Sequence, residues 1–123
     1  MFVLKFGGMR MLKNIDCVFF TSEEEVKGKV LNCTVIIDKG SISFGFDELK
    51  IQFLMDQMYL ERILREKIKE EIDCIWMNFE NSNIIPISCK MIVNCESGAT
   101  LFNLFGTRHF FGIKKGLLQK LLN

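Results

Sequence analysis

The residue best suited to acid–base chemistry is the single histidine, His109, which lies between Arg108 and an aromatic pair. A thiol next to an imidazole can act as the nucleophile in covalent catalysis, and Cys89 or Cys95 would supply that thiol. A loop histidine without a catalytic role explains the same sequence more simply. We therefore expect a protein that is not an enzyme, and we keep a thiol-dependent enzyme that uses His109 as the alternative.

The cysteines and glycines lack the spacing of a metal or cofactor site. The five cysteines stand at positions 17, 33, 74, 89 and 95, without a CxxC or CxH pair, and no HExxH sequence is present. The glycines form neither a P-loop nor a GxGxxG sequence. The sequence therefore predicts no metal and no cofactor. An odd number of scattered thiols indicates a reducing, cytoplasmic setting.

Positive charge is concentrated in the last third of the chain. Residues 84–123 contain five Lys and Arg against one Glu, a net charge of +4, whereas the whole chain carries +1. The candidates for a weak anion or phosphate contact in this segment are Arg108, His109, Lys114 and Lys115. A nucleic-acid surface usually shows a strong excess of Lys and Arg. We therefore expect no nucleic-acid binding.

The C-terminal segment is also rich in apolar residues. The chain contains twelve Phe and seven Met, side chains that suit adaptable protein contacts as well as cores. The candidates for an interaction surface are Phe110, Phe111, Leu117, Leu118 and Leu121. We therefore expect a small interaction module that binds a protein partner or forms a homodimer. Complete burial of this segment within the monomer is the alternative.

Length and composition indicate one globular domain over residues 1–123. Of the 123 residues, 49% are hydrophobic and 25% are charged, which is typical of a chain that buries a single core. No apolar run approaches the length that crosses a membrane, and the N-terminus lacks the apolar core of a signal peptide. These features predict a soluble, intracellular protein without a transmembrane segment.

Alternating apolar residues predict three consecutive strands with a shared apolar face, at 29–37, 41–46 and 49–53. A tight reversal at Asp47–Glu48 would set Phe44 opposite Ile51. A longer connection is the alternative, because neither turn residue favours the positive φ of a two-residue hairpin. Nearer the N-terminus, the polar break at Lys13–Asn14 predicts an uneven hairpin over residues 9–20.

The longest helical pattern runs over residues 54–73. Its apolar row has a spacing of four residues and consists of Leu60, Leu64, Ile68 and Ile72, with charged pairs on the other face. Strands are predicted at 74–79, 84–95 and 99–105, and a short amphipathic helix at about 112–122.

This order of elements predicts an α+β fold with a mainly antiparallel, curved sheet or a small barrel, one long helix and a short C-terminal helix. A strand meander closed by a C-terminal amphipathic helix is similar in outline to pleckstrin-homology-like domains. The likeness lies in the element order, and the helix predicted at 54–73 departs from it.

Overall fold

Nine strands and two short helices follow one another within the residues that the computed structural model describes, which are 3–21, 29–80, 83–96, 98–107 and 109–122. The strands are β1 (Val3–Phe6), β2 (Met9–Thr21), β3 (Lys29–Asp38), β4 (Ser41–Phe46), β5 (Ile51–Asp56), β6 (Lys69–Asn78), β7 (Ile87–Cys95), β8 (Ala99–Leu104) and β9 (His109–Lys114). The helices are α1 (Gln57–Glu66) and α2 (Leu117–Leu122).

The predicted antiparallel, curved sheet is confirmed, and it closes into a barrel of eight strands, β2 to β9. Each strand pairs antiparallel with the next one in the chain, and β9 returns to pair with β2. β2 can close the barrel because it is long: residues from Cys17 onward pair with β9, whereas Met9–Leu12 pair with β1 on the same side. β1 therefore lies outside the closed barrel, in line with β9.

β2 is one continuous strand, so the predicted hairpin over residues 9–20 was wrong. Its polar break forms a β-bulge, because the register with β3 shifts between Leu12 and Ile15 and Asn14 adopts a φ of 55°. Asparagine tolerates this left-handed conformation better than most residues. The extra residue keeps both Leu12 and Ile15 inside the barrel, where both are fully buried.

The predicted three-strand meander is confirmed, with the longer of the two connections. Lys39 and Gly40, with φ of 51° and 80°, form the two-residue turn between β3 and β4. Four residues, 47–50, connect β4 to β5, and they set Phe44 opposite Phe53 rather than Ile51. A register shift of two residues leaves the same side chains facing the core.

The single long helix predicted at 54–73 was wrong: residues 54–56 belong to β5, and β6 begins at Lys69. The helix begins after Asp56, whose carboxylate accepts a hydrogen bond from the Tyr59 N–H at 2.9 Å. It ends at Lys67, which adopts the left-handed conformation with a φ of 54°. Residues four apart lie on the same face of a helix. They also lie on the same face of a strand, because the side chains of a strand return to one face every two residues. Ile72 therefore fits the apolar row of the predicted helix and points inward from β6.

Five phenylalanine rings fill the middle of the barrel. Phe111 lies at their centre, and its ring centroid is 4.7–5.7 Å from those of Phe44, Phe46, Phe53 and Phe102. All five side chains are buried. Burial of one such side chain contributes about 2–3 kcal/mol, and a well-placed ring pair adds roughly 0.5–1.5 kcal/mol. The rings join β4 and β5 to β8 and β9, and thus hold opposite walls of the barrel together.

Both helices lie at the same end of the barrel. α1 follows the end of β5 and α2 follows the end of β9, and the antiparallel order brings these two strand ends to one mouth. Leu60 and Ile63 of α1, and Leu118 and Leu121 of α2, are buried against the core at this mouth. We call it the helix end. The opposite mouth, where β6 connects to β7 and β8 to β9, is called the open end.

Two finer expectations of the fold differ from the structure. The C-terminal helix is shorter than the predicted 112–122, because Gly112–Lys114 belong to β9. The outline likeness to pleckstrin-homology-like domains is not confirmed, since the barrel closes through eight strands and the last helix has six residues. Neither described helix is long and apolar enough to cross a membrane.

Candidate functional site

The residues predicted as an interaction surface lie mostly in the core. Phe111, Leu118 and Leu121 are buried, whereas Phe110 and Leu117 are half-buried. The strand conformation of β9 explains the different burial of Phe110 and Phe111, because consecutive residues of a strand point to opposite faces. Phe111 faces the ring cluster, and Phe110 faces outward. Only Phe110 and Leu117 retain surface for a partner.

Three of the four residues proposed to contact an anion are among the described residues, and these three do not gather at one place. His109 begins β9 at the open end, whereas Lys114 ends it at the helix end, about 17 Å away along an extended strand. Lys115 follows Lys114, and both lysines are exposed. Arg108 lies outside the described residues. The extended strand β9 therefore separates His109 from the two lysines. A compact conformation of this segment would have brought them together.

The cysteines form two neighbouring pairs and one separate thiol. Cys17 and Cys33 are buried inside the barrel on β2 and β3. Cys74 and Cys89 are direct partners across β6 and β7. The Cys95 Sγ donates a weak hydrogen bond to the Ile63 carbonyl at 3.8 Å.

The surroundings of four thiols raise their pKa. Hydrogen bonding to Cys17, followed by burial, raises the pKa of the Cys33 thiol. Burial is the main cause for Cys74, with a smaller contribution from the neighbouring Cys89. Burial also raises the pKa of the Cys89 and Cys95 thiols. A raised pKa keeps these groups as neutral thiols at neutral pH, and the thiolate is the nucleophilic form.

The sheet register does not place Cys89 opposite His109. Met91 pairs with Leu104, and the register of β8 with β9 puts His109 level with Leu104. Cys89 lies two residues beyond that level and two strands away, about 12 Å between the two Cα atoms. Cys95 lies level with Ile113, near the helix end. The backbone thus provides no cross-strand pair of a thiol with His109.

A polar cluster at the helix end connects α1 to β6. The Tyr59 hydroxyl donates to Glu70 Oε1 at 2.8 Å, and Arg62 Nη2 donates to both Glu70 oxygens at 3.0–3.1 Å. The hydrogen bond to Glu70 is the main reason that the pKa of Tyr59 is raised. The guanidinium of Arg62 also lies over the Tyr59 ring, 4.7 Å from its centroid. With three hydrogen bonds accepted from α1, Glu70 serves to attach the helix.

Exposed apolar side chains gather where β7 begins, at the open end. Ile84, Ile85 and Pro86 lead into β7, and Ile87 is its first residue; Ile85 is 69% exposed. Phe105, 60% exposed, follows the last residue of β8, and its N–H donates to the Lys90 carbonyl at 2.9 Å, which places it beside β7. We call Ile84–Ile87 together with Phe105 the β7-edge patch.

β7 extends past the end of β8 at this patch. The pairing of β7 with β6 reaches Ile87, whereas its pairing with β8 begins only at Met91, opposite Leu104. The hydrogen bond from Phe105 to Lys90 extends the contact with β8 by one residue. Beyond it, the first residues of β7 have a neighbouring strand on one side only within the described part of the chain.

The backbone groups of Ser88 point to that open side. In an antiparallel ladder the N–H and C=O of one residue face the same neighbour, and successive residues alternate between the two neighbours. Lys90 faces β8, so Ser88 and Pro86 face the same way. Among the described residues, no backbone group bonds to the N–H or C=O of Ser88 on this side. Together, Pro86 and Ser88 therefore present one N–H donor, that of Ser88, and two carbonyl acceptors.

The sequence prediction missed this surface, because it assigned residues 84–95 to one strand. The structure begins the strand at Ile87 and leaves the preceding isoleucines exposed. Pro86 was the available signal: a proline cannot donate to a ladder and is confined to strand ends and sheet edges. The isoleucines on both sides of it then become candidates for surface contact.

Comparison of the chain with protein-family models, with curated proteins and with solved structures gave no match.

Proposed function

We propose that the chain is a non-catalytic interaction module that binds a protein partner through the β7-edge patch. The observation that carries the proposal is the concentration of exposed apolar side chains on Ile84–Ile87 and the neighbouring Phe105. Contiguous exposed apolar surface marks contact sites, whereas isolated apolar residues on a surface are ordinary. Elsewhere fewer such residues lie together: Met58 is on α1, and Val30 on β3 has one exposed apolar partner across the strands, Val18.

The character of the patch suits a protein rather than a charged ligand. Its side chains are aliphatic and aromatic, with no hydrogen-bonding groups at their ends, and such residues form the cores of protein interfaces. Lys90, a cation of the same strand, forms ion pairs with Glu71 at 3.4 Å and with Asp73 at 4.0 Å. This neutralised charge favours an uncharged partner segment over a phosphate.

The thiol-dependent alternative has less support. Four of the thiols have a raised pKa, which opposes nucleophilic reactivity. The register also separates the backbone of His109 from both Cys89 and Cys95. Catalysis would need the opposite on both counts: a lowered thiol pKa and a neighbouring imidazole.

The test compares two matched substitutions of exposed apolar residues. Ile85→Glu places a charge in the patch, and Met58→Glu places the same charge on α1; the two residues are 69% and 75% exposed. The wild type and both variants are tagged, and the proteins that co-purify with each are quantified from the cells that produce the chain. Sedimentation velocity over a concentration series tests a second copy as the partner.

We expect one set of proteins, or self-association, to be retained with the wild type and Met58→Glu and lost with Ile85→Glu. Both variants should remain folded, because neither side chain is part of the core. Equal retention by all three proteins would contradict the proposal. A strict monomer that retains no protein in any form would contradict it as well.

A further inference from the structure

We propose that the β7-edge patch binds its partner by strand addition: an extended, apolar segment of the partner protein pairs with Pro86–Ser88 and continues the line of β8. This inference rests on the proposed function and names the form of the partner. It follows from the open backbone groups at the start of β7 and from the side chains around them.

The backbone groups define where the added strand lies. An antiparallel segment with one residue opposite Ser88 exchanges two hydrogen bonds with it, and the residue two positions further donates its N–H to the Pro86 carbonyl. The missing N–H of Pro86 ends the ladder there. At the other end Phe105 already bonds to Lys90. The site therefore accepts a short strand with three backbone hydrogen bonds.

The added strand takes the direction that β8 would have followed. After Phe105 the chain turns away through Gly106, which adopts a φ of 78°, and the Thr107 N–H bonds back to the Leu104 carbonyl at 3.0 Å. The turn ends β8, and no described strand continues along this side of β7. A partner segment that runs antiparallel to β7 enters this position in the same direction as β8.

The side chains around the edge favour apolar residues on both faces of the added strand. Residues of a strand alternate between its faces, so the partner residue opposite Ser88 lies on the outer face, next to the exposed ring of Phe105. Its neighbour lies on the inner face, next to Ile87. Both contacts are apolar, and a continuous apolar run satisfies both.

A second copy of this chain fits the edge less well than a free segment. Pairing of two copies about Ser88 would set Pro86 of each copy against Lys90 of the other, whose carbonyl already bonds to Phe105. Pairing about Ile87 would leave two reciprocal hydrogen bonds, from each Ser88 N–H to a Pro86 carbonyl. A free extended segment makes three bonds without displacing Phe105.

The edge of β1 is a weaker candidate for strand addition. β1 pairs only with β2 among the described residues, but it has four residues and carries the exposed Lys5 in its middle. Short edge strands with lysine resist the addition of another chain. The start of β7 has no charged side chain between Ile84 and Cys89.

The experiment uses random dodecapeptides displayed on phage, selected on the full chain and then synthesised. The Ser88→Pro variant removes the N–H donor, and Ser88→Ala is its matched control, because alanine removes the hydroxyl and keeps the backbone donor. We expect Ser88→Pro to weaken peptide binding about tenfold or more, and Ser88→Ala to change it by less than about twofold. Single N-methylation along the peptide should block binding at alternate residues only, because every second N–H faces β7.

The outcomes separate this inference from the proposed function. Suppose that Ile85→Glu abolishes peptide binding, whereas Ser88→Pro binds the peptide as tightly as the wild type. This result would overturn strand addition and leave the apolar contact intact. Insensitivity to N-methylation at every position would do the same, without depending on the folding of Ser88→Pro. If no selected peptide depends on Ile85, both proposals fail. Peptides that lose affinity as described, on a chain that sediments as a monomer, support both.

Discussion

Proline substitution at two neighbouring positions of β7 separates a paired backbone group from an open one. The N–H of Cys89 faces β6, where Cys74 is its direct partner, whereas the N–H of Ser88 faces the uncovered side. Cys89→Pro therefore loses a ladder hydrogen bond, worth about 1 kcal/mol, and leaves the carbonyl of the buried Cys74 without a donor, which costs roughly a further 1–3 kcal/mol. Ser88→Pro removes no ladder hydrogen bond and leaves no buried carbonyl without a donor. We therefore expect its free energy of unfolding to stay within about 0.5 kcal/mol of the wild-type value.

Urea titration measures both variants, with the fluorescence of the single tryptophan, Trp76, as the signal. Trp76 pairs with Ile87 across β6 and β7 and therefore reports on this part of the barrel. We expect the midpoint of Cys89→Pro to fall by the equivalent of about 2–4 kcal/mol, and that of Ser88→Pro to stay near wild type. The control Cys89→Ala separates the loss of the side chain from the loss of the N–H. A larger loss for Ser88→Pro than for Cys89→Pro would refute the assigned direction of the backbone groups.

Three further changes test the core, the end of α1 and the thiols. Phe111→Ala removes the ring that contacts four others, and we expect the free energy of unfolding to fall by about 3–5 kcal/mol in the same titration; a loss below about 1 kcal/mol would contradict its central position. Lys67→Gly relieves a left-handed residue and should stabilise the chain by about 0.5–1 kcal/mol, visible as a higher Tm in calorimetry; a lower Tm would argue against a helix end at this residue. The pKa of the Cys33 and Cys74 thiols is raised, so at high pH the unfolded chain loses protons that the folded chain keeps. Stability should therefore be constant up to about pH 8 and fall above about pH 9. The expected fall is up to ~1.4 kcal/mol per pH unit for each thiol. Urea titrations across this range measure it, and a stability that rises with pH would contradict the sign.

The strands of the meander were predictable because their signals are local. Alternation of apolar residues predicts β3 and β4, and Lys39–Gly40 supplies the turn between them. The connection of β4 to β5 was open at the level of sequence, since Asp47 and Glu48 make a poor two-residue turn. The structure resolves it with a four-residue turn that ends at Lys50, whose φ is 52°.

The break in the predicted long helix was not predictable from its residues. Lysine rarely adopts the left-handed conformation that Lys67 has, and the spacing of Leu64, Ile68 and Ile72 fits a helix and a strand alike. The barrel decides between them, because β6 must pair with β5 on one side and β7 on the other. Such pairing depends on residues far apart in sequence, which no local pattern contains.

The burial of three of the predicted interaction residues, Phe111, Leu118 and Leu121, was not predictable for the same reason. Phe110 and Phe111 look equivalent in the sequence, but only the closure of β9 onto β2 and β8 determines which ring faces the core. The β7-edge patch depends on where β8 stops relative to β7, and Gly106 determines that position through its turn. Pro86 was the one local sign that this stretch lies at a sheet edge.

The most direct test of binding at the β7-edge patch is the amide exchange rate of Ser88, measured by NMR with and without a bound partner or selected peptide. In the free chain we expect fast exchange at Ser88 and slow exchange at Ile87 and Cys89, whose N–H groups face β6. On binding, exchange at Ser88 should slow by about tenfold or more, while amides of α1 keep their rates. Slow exchange at Ser88 in the free chain, or a bound partner that protects only amides at the helix end, would contradict binding at this edge.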